Sequence, residues 1–146
     1  MATNLQFIKD ASASDVSSMN VTDCFSNQYE VYAIIMARSK NTNKLSSGFY
    51  ASFSQSQVQN DTEIQRIQIY SSLDVEFGTV LYIFNPNDSS SFTFANWLSS
   101  GLVESSTAGY GIKGIGVHKQ AEQITGVNFI SNADNFNLKV SVYGVK

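Results

Sequence analysis

The stretch Val31-Tyr32-Ala33-Ile34-Ile35-Met36-Ala37-Arg38 decides the fold. In an extended chain, successive side chains point to opposite faces. Val31, Ala33, Ile35 and Ala37 therefore share one side, and Tyr32, Ile34, Met36 and Arg38 the other. Both sets are largely apolar. Such a strand belongs in the middle of a sheet, hidden from water on both faces.

Working outward, further runs of β-branched and aromatic residues occupy 5–9, 16–22, 49–53, 64–70, 80–84, 92–97, 112–118, 124–130 and 138–143. Turn-forming residues separate them at 41–43, 46–48, 85–88, 99–101 and 131–134, and the one proline, Pro86, falls in such a turn. The expected fold is all-β: an antiparallel two-sheet sandwich, jelly-roll-like, of about ten strands with little helix. Only 94–102 and 118–123 have room for a helical turn. With no linker and no internal repeat, one β-sandwich domain over 1–146 is expected.

Charged residues make up only 14% of the chain, with 9 basic against 12 acidic side chains and a net charge of -3. No basic run is long enough to follow a phosphate backbone, so nucleic acid is not an expected partner. No apolar stretch reaches membrane-spanning length, and the N-terminus lacks the charged and apolar regions of a signal peptide. No membrane association is expected.

The residues that carry chemistry are few. His118 is the only histidine and Cys24 the only cysteine, which excludes a His-rich metal site and an intrachain disulfide. Asp74 and Glu76 are a weak candidate pair for glycoside hydrolysis. Asn85-Pro86-Asn87-Asp88-Ser89-Ser90 is rich in oxygen but lacks the acidic spacing of a calcium loop, and reads better as a hydrogen-bonded turn. In Gly109-Tyr110-Gly111-Ile112-Lys113-Gly114-Ile115-Gly116 the glycines match no phosphate-binding motif and point to close backbone packing. No catalytic residue, cofactor or metal is expected. The chain holds seven Tyr, ten Phe and one Trp. Trp97, beside a Ser-rich segment, is the best candidate for an exposed ring. Together with Tyr110 as a second stacking platform and Asn96 and Ser99 as hydrogen-bonding neighbours, it forms the candidate binding surface.

The two ends carry a further signal. Leu5-Gln6-Phe7-Ile8-Lys9-Asp10-Ala11-Ser12-Ala13-Ser14, Val21-Thr22-Asp23-Cys24-Phe25 and Tyr29-Glu30-Val31-Tyr32 open the chain. Ile124-Thr125-Gly126-Val127-Asn128-Phe129-Ile130, Asn135-Phe136 and Val140-Ser141-Val142-Tyr143-Gly144-Val145-Lys146 close it. This pattern of alternating apolar residues with a terminal Tyr-Gly pair resembles β-sandwich modules of tailed-bacteriophage virion proteins, as in capsid decoration, head-fibre and tail-fibre proteins. The resemblance implies a jelly-roll-like domain on the particle surface, with the major capsid protein or tail proteins as partners. A core place for the Tyr143 ring in the closing strand is a separate expectation, tested by Tyr143→Ala. The resemblance alone does not choose among these virion settings; because the module fills the sequence without a particle-binding arm or trimeric shaft, a non-catalytic decoration protein is the first expectation. The alternative is a tail-fibre or tail-tip adhesin binding host surface carbohydrate. A homo-oligomer is compatible with both, although no residue demands one.

Overall fold

The computed structural model of the chain describes residues 4–39, 49–54, 67–70, 77–102, 109–131 and 135–146. Among them, every regular element is a strand. In chain order these are β1 (Leu5–Val16), β2 (Ser18–Val21), β3 (Val31–Ser39), β4 (Phe49–Ser54), β5 (Ile67–Tyr70), β6 (Phe77–Phe84), β7 (Thr93–Leu102), β8 (Gly109–His118), β9 (Gly126–Ser131) and β10 (Phe136–Val145). A six-stranded sheet has the order β1-β10-β3-β6-β7-β8, and a four-stranded sheet the order β2-β9-β4-β5. Every pairing is antiparallel.

The stretch that opened the reading is β3, which lies inside the larger sheet between β10 and β6. Tyr32, Ile34 and Met36 are fully buried and point toward the smaller sheet. They join Leu81 and Ile83 of β6 and Leu138, Val140 and Val142 of β10 in one apolar cluster, to which β2 and β9 add Met19, Val21, Val127 and Phe129. Each large side chain so buried stabilises the fold by about 1.5–3 kcal/mol. The opposite side of β3 departs from the sequence expectation. Ile35 and Ala37 are exposed there, because no second layer covers that side among the described residues.

β1 passes into β2 across the single residue Ser17, so the chain changes sheets almost without a loop. A register shift between Ala13 and Val16, with Asp15 at a φ of 57°, makes the corner. Asn137 braces it: its Oδ1 accepts from Ser14 Oγ at 2.7 Å and from the Asp15 N–H at 2.9 Å.

A second brace is Tyr32, whose hydroxyl donates to the Ser26 carbonyl at 2.7 Å and accepts from the Ser26 N–H at 2.8 Å. Its ring meets Phe25 and Tyr29 edge-on. The segment between β2 and β3 is thereby tied to the core. Tyr29 in turn lies across Gly144, where an added Cβ would come within 2.5 Å of the ring. In the terminal Tyr-Gly pair, the glycine leaves space for an aromatic ring. Tyr143 departs from its expected place in the core, because alternation turns it to the outer side, half-buried, where it meets Phe7 at 5.8 Å between ring centroids.

Other local expectations are also corrected. The segment 94–102, read as space for a helical turn, is part of strand β7, and so is the expected turn at 99–101. Extended pairing wins there because Ser99 is buried yet satisfied: its Oγ lies 2.7 Å from Thr79 Oγ1 directly across the ladder. Residues 119–125 form no regular element. The turns expected at 41–43, 46–48 and 132–134 lie outside the described residues.

Tyr32→Phe is expected to lower stability by about 1–2 kcal/mol, since the exposed Ser26 groups regain water once the hydroxyl is gone. Urea unfolding followed by intrinsic fluorescence measures the loss.

Candidate functional site

The outer face of the larger sheet is built by alternation and register alone. Phe7, Tyr143, Ala33, Tyr82, Asn96 and Ile115 are successive partners across all six strands. The next row is apolar throughout: Leu5, Val145, Val31, Phe84, Phe94 and Val117. On the other side of the first row run Asp10, Ser141, Ile35, Val80, Leu98 and Lys113. A fourth row, of Ser12, Lys139, Ala37, Gly78, Ser100 and Gly111, is small or polar.

Every large hydrophobic residue exposed among the described residues lies on this face or, for Phe92, just before β7. Ile115 is 86% exposed and Leu98 61%. Ala33, flanked by its partners Tyr143 and Tyr82, is fully buried although it faces outward. Asp10 and Lys113 are the only charges in the three apolar rows, and they stand at opposite edges of the sheet. With strands about 4.8 Å apart and rows about 7 Å apart, the footprint is roughly 600 Å². That plan area includes Asn96, Ser141, Asp10 and Lys113 among the apolar side chains, and an exposed apolar patch of a few hundred Å² is often an interaction site.

The structure does not bring the four candidate residues onto one surface. Asn96 points outward and is exposed, whereas Trp97 and Ser99 point inward. The Tyr110 side chain lies outside the described residues. Trp97 packs against the core, and its ring lies over Gly114 on the neighbouring strand; a Cβ there would sit 2.1 Å from Cζ2. The close packing read from the glycine-rich β8 is thus an indole bed. The Trp97 Nε1–H is buried and finds no acceptor among the described residues.

Of the remaining candidates for chemistry, those among the described residues make local contacts. His118 is buried, with Nε2 2.7 Å from Glu122 Oε1, which ties the end of β8 to the chain that follows. That chain is anchored again where the Ile124 N–H donates to the Pro86 carbonyl at 2.6 Å. In the oxygen-rich turn, Asp88 Oδ1 accepts from Ser90 Oγ at 2.6 Å and from the Ser90 N–H at 2.8 Å, and these bonds hold the carboxyl below its ordinary range. Among the described residues, no three His, Cys, Asp or Glu side chains gather as metal ligands. Asp74 and Glu76 lie outside the described residues. Cys24 is buried and donates to the Val21 carbonyl at 3.4 Å; desolvation pushes its thiol up from 9.0 to about 12.

Comparison with protein-family models, curated proteins and solved structures finds no match.

Sequence reasoning passed over the outer-face residues Phe7, Tyr82, Phe94, Leu98 and Ile115. The available signal was that the runs at 31–37, 80–84 and 92–97 are apolar in both phases of their alternation.

Trp97→Ala is expected to cost about 3–5 kcal/mol of folding stability by opening a void over β8, and Gly114→Ala about 1–3 kcal/mol by lifting the indole. Thermal melts of both variants test this. The Cys24 thiol stays protonated in the fold well above its ordinary 9.0, whereas the unfolded chain gives up that proton. Its contribution to stability is therefore complete below about pH 9 and is lost as the pH rises toward 12. A Cys24→Ala variant should lose stability less steeply than the parent between pH 8.5 and pH 10.5, as measured by paired urea titrations (about two pH units across the thiol range).

Proposed function

We propose that this protein is a non-catalytic structural protein of a phage virion, a capsid decoration protein that assembles through the outer face of its larger sheet. In this reading the chain forms a jelly-roll-like two-sheet sandwich of about ten strands. The observation that carries the reading is the contiguous apolar face, with Ile115, Leu98, Phe7 and Phe94 open to water at its surface. Burying such a face against protein removes apolar area from water at about 25 cal/mol per Å², and the ordered ladder beneath supplies a pre-formed template. The resemblance at the two chain ends supports the virion setting. Its terminal Tyr-Gly pair serves both sides of the sheet, with Tyr143 on the outer face and Gly144 under Tyr29.

The adhesin reading draws less support from the geometry. A sugar platform needs an exposed ring flanked by hydrogen-bonding groups, and Trp97 is turned inward. Among the outer-face rows, exposed Phe7 pairs with Tyr143 and exposed Phe94 with Phe84 and Val117, and only Tyr82 stands beside a polar partner, Asn96.

Mass spectrometry and electron microscopy of purified particles, with rebinding of recombinant chain to particles lacking it, test the proposal. Many copies over the head support decoration. A few copies confined to the tail favour the adhesin, and absence from particles overturns the virion setting. Ile115→Lys should leave stability within about 0.5 kcal/mol, because the side chain is already in water, and should weaken rebinding at least tenfold.

A further inference from the structure

We infer that the partner on the outer face is a second copy of this chain, packed sheet to sheet about a two-fold axis that runs between β3 and β6 near the strand direction. The inference rests on the reading of that face as an assembly surface and names its occupant.

Charge placement carries the argument. Asp10 and Lys113 belong to one row, at the two outermost strands β1 and β8. Among the described residues, no ion pair engages either one. A two-fold axis along the strands exchanges β1 with β8 while keeping each row opposite itself. Asp10 then faces Lys113 of the second copy, and Lys113 faces Asp10 of the second copy, so one row is closed by two opposite-charge pairs at its rim. An axis across the strands would reverse the row order and set Asp10 over the apolar end of β1, where its charge would lose water without a partner. The charges therefore select one axis.

Sheet geometry agrees with that choice. Aligned sheets pack about 10 Å apart at about -30°, which keeps the axis within about 15° of the strands and offsets the rim positions by about 6 Å along them, a span the long Lys113 side chain bridges. The footprint of roughly 600 Å² in plan, roughened by side chains, approaches the roughly 800 Å² per partner of a stable complex.

Sedimentation equilibrium of the full chain tests the inference. The parent is expected at twice its 16.0 kDa mass. Asp10→Lys and Lys113→Asp should each weaken the dimer about tenfold by setting two like-charge pairs at the rim, and the double exchange should restore it. Circular dichroism confirms that these exposed-site variants are folded. A parent that is monomeric at 100 µM (about a hundred times a micromolar Kd), or a dimer indifferent to both exchanges, overturns the inference. In that case, weakened particle rebinding by Ile115→Lys would leave the face to another protein and preserve the assembly reading. Unchanged rebinding would remove both.

Discussion

The whole arrangement depends on one constraint: β3 is apolar on both of its sides, and the smaller sheet covers only one of them. Tyr32, Ile34 and Met36 are removed from water by the core between the sheets. Ile35 and Ala37 are not. The same imbalance spreads through the ladder, because β6 and β7 are registered on β3 and carry Tyr82, Phe94 and Leu98 on the uncovered side. A sheet this apolar on a wetted face is unfavourable alone and well suited to association.

The interior solves a different problem, that of fitting large rings near backbone. Among the described residues an aromatic side chain is set over a glycine at two places: Tyr29 over Gly144 and Trp97 over Gly114. In both cases a methyl group would occupy the ring's place. Two pairs of polar groups carried inward satisfy each other, Thr79 with Ser99 and His118 with Glu122, whereas the buried Trp97 Nε1–H finds no acceptor among the described residues. These devices explain why Ser, Gly and His residues that look like loop or site material in the sequence end up supporting the sheet.

How much was legible follows from what alternation encodes. The runs at 31–37, 80–84 and 138–143 lie inside β3, β6 and β10, and the turn at Pro86 is a turn, because strand period and turn chemistry are local properties. Pairing order is not local. Nothing near residue 31 says that its neighbours are β10 and β6, so the bed that Gly114 offers to Trp97 could not be seen from either residue's surroundings. Phase was equally hidden for doubly apolar strands: Tyr143 and Val142 are adjacent hydrophobes, and only the folded sheet assigns one outward and the other inward. Ser99 misled by composition, since serine suggests a turn until Thr79 appears opposite it.

The alternation of β3 has a consequence for how the molecule can change over generations. Tyr32, Ile34 and Met36 are buried in the core, while Ile35 and Ala37 are exposed on the outer face. Two different physical demands are thus interleaved at single-residue spacing along one strand. Drift at the odd-numbered positions can retune partners while the fold stands still, whereas inserting one residue would exchange the two roles at a stroke.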